Sequence, residues 1–240
     1  MVIDTHCHIL PGVDDGSRNA ATTKRMLEMA FREGISGIIA TPHYEYGMDK
    51  DVLNRRKRIF EAVQQISGEM NPGFQMFLGN EIFFSDNVIS ALENGTALTL
   101  NGTRYVLVEF PVYADFSYIS RAVRNLRYAG FFPILAHIER YEGTKKIEQI
   151  RELVDMGAYM QVNASTVTGK MGWLMKKYVL NLMRSDLIHL LGTDAHGCEH
   201  RRPEMRECLK YLNKKIGIHK TKIICSTNPV KVIRGEEIRG

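Results

Sequence analysis

Short apolar runs that each end in a metal-capable side chain recur along almost the whole 240-residue chain, and this pattern limits its fold more than any other feature. VID precedes His6, GIIATP precedes His43, QMFLGN precedes Glu81, YVLV precedes Glu109, FPILA precedes His137 and IHLLGT precedes Asp194. Runs of this length are buried parallel strands when they alternate with helices. Strands are expected at 2–4, 35–41, 75–80, 104–109, 132–136, 158–163 and 187–192. Helices are expected at 20–33, 49–69, 86–93, 117–129, 145–156, 170–184 and 203–216. Gly34, Gly130 and Gly157 each end a helical stretch just before an apolar run, the usual stop before a strand.

An open doubly wound sheet gathers its ligands at one switch point, whereas a barrel gathers every strand end at one mouth. Here the candidates close runs all along the chain. The expected fold class is therefore α/β, a distorted TIM-like (β/α)7-8 barrel spanning 1–240 as one domain, with 222–225 as the candidate eighth strand.

Nine side chains would meet at the mouth of such a barrel: His6, His8, Asp15, His43, Glu81, Glu109, His137, Asp194 and His196. His6 and His8 have the i, i+2 spacing that turns both imidazoles one way along an extended segment and Cys7 the other. Asp194 and His196 repeat that spacing. Asp14 competes with Asp15, the preferred of the two, in the turn-rich segment PGVDDGS. A carboxylate at the end of a buried run, such as Glu81 or Glu109, is costly unless a cation or ion pair compensates it. Imidazole and carboxylate at this density suit manganese, iron or zinc, with enough donors for two or three ions. The pattern is that of a multinuclear metal hydrolase. Arg140, three residues after His137, and Arg201 and Arg202, after His196, could recognise a tetrahedral oxyanion such as phosphate through bidentate hydrogen bonds. Asn163 is either a further rim residue or an N-cap.

Other features exclude alternatives. No stretch approaches 18 apolar residues and no signal peptide precedes the first strand, so no membrane span and a cytoplasmic location are expected. The net charge of +5 is dispersed, and Arg55, Arg56, Lys57 and Arg58 read as a solvated helix face. No basic–aromatic stripe suggests nucleic-acid binding. The four cysteines, Cys7, Cys198, Cys208 and Cys225, form no C-x-x-C pair and are expected to be reduced thiols, Cys7 as a buried filler.

The segments MVIDTHCHILPGVDDGS, ATPHY, GNEIF, VLVEFP, AHIERY, QVNAST and GTDAHGCEHRRPEM resemble the motifs of the PHP (polymerase and histidinol phosphatase) superfamily. Within it the chain is most similar to the bacterial manganese-dependent protein tyrosine phosphatases of capsule and exopolysaccharide clusters. The resemblance implies a trinuclear site, commonly of manganese, held by the nine residues above, with Arg140 and Arg201 on the phosphate. It also implies a substrate, phosphotyrosine on the tail of a cognate tyrosine autokinase, and a homo-oligomer. The residues expected to take part in the chemistry are Arg140, Arg201, His43 and Asp194, around a hydroxide shared by two cations. Two rival functions are hydrolysis of a small phosphate monoester such as histidinol phosphate, and a metal-stabilised regulatory module without catalysis. Cysteine-dependent tyrosine phosphatases need C-x5-R, and the residues six after each cysteine are Val13, Glu204, Lys214 and Lys231. A thiolate mechanism is thereby excluded.

Overall fold

The computed structural model describes residues 1–238. Among these residues nine short strands form: β1 (Ile3–Cys7), β2 (Gly37–Ala40), β3 (His43–Tyr44), β4 (Gln75–Leu78), β5 (Glu81–Phe83), β6 (Tyr105–Glu109), β7 (Phe132–Leu135), β8 (Tyr159–Asn163) and β9 (Leu190–Gly192). All their pairings are parallel. Two of the expected strands, 35–41 and 75–80, are each followed by a further short strand that lies outside the expected bounds. Pro42, which has no N–H for a ladder, separates β2 from β3, and Gly79-Asn80 separates β4 from β5. Asn80 heals the crease by donating to the Pro42 carbonyl at 2.9 Å and accepting from Leu98 N at 2.8 Å.

Because β2 pairs β4 while β3 pairs β5, the orders β1-β2-β4 and β3-β5-β6-β7-β8-β9 form one creased surface of seven strand runs. That surface curls back on itself. A parallel bridge between Cys7 and Ala195 joins its two ends, with His8 N donating to Ala195 O and Asp194 N to His6 O, both at 2.8 Å.

Alternation along the strands sorts the apolar residues into two clusters. Tyr105, Leu107, Ile39, Ile134 and Leu190 belong to the smaller cluster, which fills the barrel. Val106, Val108, Ile38, Leu135 and Leu191 face outward and pack with the helices. Helices α1 (Ala20–Glu33), α2 (Lys50–Met70), α3 (Val88–Glu93), α4 (Phe116–Tyr128), α5 (Ile147–Asp155), α6 (Ala164–Thr168), α7 (Trp173–Arg184), α8 (Arg206–Lys215), α9 (Ile218–Lys222) and α10 (Asn228–Arg234) complete the fold. Their starts use ordinary caps: Asn19 accepts from Thr22 N, Asp49 from Asp51 N and Val52 N, and Asp115 from Tyr118 N. Gly34 ends α1 at φ 81°, a conformation that a Cβ would strain.

The expected eighth strand at 222–225 does not form. A π-helical turn, Ile223–Thr227, leads from α9 into α10 instead. With β9 already bridged to β1 there is no open edge for another strand to join. Ile224 and Cys225 pack into the outer core, Asn228 donates to the His189 carbonyl at 3.0 Å, and Pro229 suits the first turn of α10. Val232 and Ile238 then plug the end of the barrel away from the ligands. Tyr105 Oη donates to Glu236 O and accepts from Ile238 N, both at 2.9 Å.

His189, buried beside that plug, accepts the Met160 N–H at 3.0 Å through Nδ1. Burial lowers its pKa from the ordinary 6.5 to about 4, so the folded chain holds it neutral. Below pH 6.5 the unfolded chain binds the extra proton. Stability from this group is therefore full above pH 6.5 and is lost as pH falls toward 4, by about 3 kcal/mol in all. Urea denaturation across this range should show the loss in the parent and not in His189→Asn, whose amide oxygen can still accept from Met160. Equal pH slopes in the two proteins would contradict it.

Candidate metal centre and active site

All nine expected side chains come together at the C-terminal ends of the strands. Glu81, the first residue of β5, is the hub. Its Oε2 lies 3.1 Å from His6 Nε2, 3.0 Å from His8 Nε2 and 3.2 Å from His43 Nδ1, and its Oε1 lies 2.9 Å from His137 Nε2. Three overlapping groups of donors result: His6, His8, Glu81 and Asp194; His8, Asp15, His43 and His196; and His43, Glu81 and Glu109. His137 adjoins the third, 3.6 Å from Glu109 Oε2.

Cations fit this donor set because the imidazoles aim lone pairs at one another. His196 Nδ1 lies 3.0 Å from the Asp194 carbonyl, which can only accept, so Nδ1 carries the proton and buried Nε2 makes no hydrogen bond, although Asp15 Oδ1 lies 3.3 Å away. His8 Nδ1 likewise faces the Asp14 carboxylate at 2.8 Å, and His137 Nδ1 faces the Tyr141 hydroxyl at 3.3 Å, whose own proton goes to Ala136 O. The Nε2 atoms of His6 and His8 consequently confront each other at 3.2 Å. Asp194 Oδ1 is also buried without a well-directed hydrogen bond, although Arg201 Nη2 lies 2.5 Å away. Lone pairs converging from both sides are what a bound divalent ion requires.

Electrostatics tell the same story. Burial disfavours charge on His8, yet hydrogen bonds to Asp14 and Glu81 outweigh it and push its pKa up to about 10. Burial likewise opposes charge on His137, which Glu109 and Glu81 push up to about 9. Despite its burial Glu81 is held well below the usual carboxylate range by His6, His137 and His8. His196 goes the other way, down to about 4, through burial and the nearby His8 and Arg201. Without cations the cluster has to hold protons between its members. A metal ion replaces them.

Asp14 and Asp15 separate clearly. Asp14 Oδ2 accepts from His8 Nδ1 at 2.8 Å and from His43 N at 3.1 Å, so it orients imidazoles, whereas Asp15 Oδ1 faces His43 Nε2 at 3.4 Å and His196 Nε2 at 3.3 Å. Arg140 and Arg201 both reach Asp194, Arg140 Nη2 at 2.8 Å from Oδ2. Arg202 turns away to pair with Glu204. Asn163 caps nothing with its side chain and instead donates to Asp194 Oδ2 at 2.8 Å. A cavity of about 490 Å³, lined by Arg140, Asn163, Met171, Asp194 and Arg201 among others, opens beside the cluster.

Arg56 differs from its expected place on a solvated face. It is buried, and donates to His43 O at 2.5 Å and Val13 O at 2.8 Å, tying the loop of Asp14 and Asp15 to the strand end of His43. Its position on the buried stripe of α2, three residues after Leu53, is the signal that would have found it. Gln161, two residues before Asn163 on β8, was also missed, although a polar residue inside a wholly buried strand marks it.

Residues 2–234 match the family described as capsular polysaccharide synthesis, CpsB/CapC. The chain belongs to the CpsB/CapC family. It is similar to the tyrosine-protein phosphatase CpsB of Streptococcus pneumoniae, at 32% identity over 99% of this chain and 100% of that protein. It is also similar to the tyrosine-protein phosphatase YwqE of Bacillus subtilis, at 33% identity over 90% of this chain and 85% of the relative. A crystal structure described as YwqE from Bacillus subtilis and CpsB from Streptococcus pneumoniae, unique metal-dependent tyrosine phosphatases, superposes with a TM-score of 0.89. It has 30% identity and covers 99% of this chain and 96% of that chain.

In this CpsB/CapC chain the seam of the barrel leaves no room behind His6. A Cβ on Gly192 would lie 2.6 Å from His6 Cβ and 2.9 Å from Gln161 Nε2. Gly192→Ala should displace His6 and lower stability by about 1–3 kcal/mol, the usual cost of overpacking. Thermal denaturation together with bound-metal content checks this. A variant with parental melting temperature and metal content would contradict it.

Proposed function

We propose that this chain removes phosphate from phosphotyrosine on the tail of a cognate tyrosine autokinase controlling capsular or exopolysaccharide synthesis, using two or three manganese ions. Membership of a family whose named relatives are metal-dependent tyrosine phosphatases makes it a metal-dependent phosphoric monoester hydrolase. The observation that supports a phosphate ester as substrate is the pair of arginines, Arg140 and Arg201, set on Asp194 at the edge of the donor cluster and lining the adjoining cavity. Each guanidinium has five N–H donors and engages Asp194 through one nitrogen, which leaves donors for phosphate oxygens. Further proposals are a cytoplasmic location and a homo-oligomer. Among the described residues no helix is long and apolar enough to cross a membrane.

The residues that would hold the ions are His6, His8, Asp15, His43, Glu81, Glu109, His137, Asp194 and His196. Manganese suits their mixture of nitrogen and oxygen, as do iron and zinc, and availability decides among them. When bound, the ions lower the pKa of water toward neutrality and offset the charge of the phosphate. The chain's own part is positioning and charge. Arg140 and Arg201 hold the phosphate and stabilise the charge that spreads over its equatorial oxygens. Asp194 keeps both guanidiniums in place. A phenolate leaves readily, with a pKa of about 10, so it needs little proton donation. His43, whose side chain is 28% exposed at the rim, is placed to help.

No thiol competes for the role of nucleophile. Cys7, Cys208 and Cys225 are buried, and burial raises all three pKa values. Burial also raises that of Cys198.

Phosphate release from a phosphotyrosyl peptide should be abolished by chelation, restored by manganese and untouched by a thiol-blocking reagent. His6→Ala should lose at least about 100-fold in rate while its circular dichroism stays that of the parent. Faster turnover of histidinol phosphate than of the peptide would overturn the substrate assignment, and full activity without metal would overturn the mechanism.

A further inference from the structure

Gln161 is wholly buried on β8, and its amide touches residues from two other strand ends, those of β1 and β7, as well as its own. Its Oε1 accepts from His137 N at 2.7 Å and faces His6 Nδ1 at 3.3 Å. Its Nε2 donates to Val162 O at 2.8 Å and to Asn163 Oδ1 at 3.0 Å. Only one orientation satisfies these contacts. The backbone N–H of His137 can only donate and the carbonyl of Val162 can only accept, so the amide oxygen must face His137.

One tautomer and one further amide orientation follow from it. Since Oε1 is an acceptor, His6 Nδ1 must carry the ring proton, and the lone pair falls on Nε2, which points at His8 and Glu81. Since Gln161 Nε2 occupies Asn163 Oδ1, the other end of Asn163 must be its NH2, which donates to Asp194 Oδ2. His137 itself is left-handed, at φ 33° and ψ 53°, a strained backbone for a residue with a Cβ. The 2.7 Å bond from its N–H to Gln161 is what holds that turn.

We infer that Gln161 is the positioning residue of the metal centre: one amide sets the tautomer of His6, the backbone turn of His137 and, through Asn163, the orientation of Asp194. It touches no substrate and offers no ligand atom. The inference rests on the donor cluster holding metal.

Zinc, which is diamagnetic, is the probe. In the parent chain, zinc affinity is measured by chelator competition and stoichiometry by elemental analysis, and the same is done for Gln161→Leu and Gln161→Glu. The leucine variant should bind its tightest zinc about 10–100-fold more weakly, the usual effect of removing a ligand's hydrogen-bond partner. The glutamate variant keeps an acceptor for both His6 and His137 but loses the donor to Val162 O and Asn163 Oδ1, so its affinity should fall between those of the parent and the leucine variant. Parental affinity in Gln161→Leu, or equal loss in both variants, would overturn the inference. Should the leucine variant fail to fold, long-range 1H–15N spectra of the zinc-loaded parent decide. His6 protonated at Nδ1 supports the assignment, and zinc on His6 Nδ1 refutes it. A parent chain that binds no zinc would instead refute the metal reading itself.

Discussion

Glu81 is a carboxylate with 1% of its side chain exposed and four imidazoles within 3.2 Å of its two oxygens. No arrangement of a soluble protein places such a group there without compensation, because an isolated buried charge costs many kcal/mol. The rest of the molecule can be understood as what brings compensating groups to that point. They come from β1 and the residue after it, from β3 and from the turn after β7, and a sheet that curls back on itself brings these ends together. Closure and chemistry share the same few residues: the bonds from His8 N to Ala195 O and from Asp194 N to His6 O tie the barrel shut with the backbone of candidate ligands.

This shared use explains where the structure is tight. Gly192 has no room for a side chain because His6 and Gln161 pass immediately beside it. His137 and Asp194 both take positive φ, at 33° and 54°, with the N–H of His137 held by Gln161 Oε1 and that of Asp194 by His6 O. Strain of this kind persists only where surrounding contacts over-determine it, and it is common at functional sites. At the opposite end of the barrel positive φ falls on Asn101 and Asp186, at 54° and 58°, residue types that tolerate it. There Val232 and Ile238 simply fill the space beneath Tyr105 and Tyr159.

Much of this was legible in the residues alone, for a physical reason. A buried strand that ends in His, Asp or Glu has few alternatives to a compensated site, so the apolar runs mark both the seven strand runs and six of the nine candidate ligands. What stayed hidden depended on geometry that periodicity does not carry. The breaks at Pro42 and Gly79 are local creases within otherwise continuous apolar runs. The segment 222–225 has strand-like composition, but the seam between β1 and β9 leaves it no edge to join. Arg56 stands among four consecutive basic residues, and only the buried stripe of α2 carries it inward. Gln161 and Asp14 act through other side chains, and a residue that orients a ligand leaves a fainter mark than the ligand itself.

The central claim is that these nine side chains enclose metal ions. Anomalous diffraction from crystals of the protein purified without chelator, recorded on both sides of the manganese, iron and zinc absorption edges, tests it most directly. Two or three anomalous peaks are predicted among His6, His8, Asp15, His43, Glu81, Glu109, His137, Asp194 and His196. An ordered site with no peak there, in protein supplied with those metals, would contradict the account.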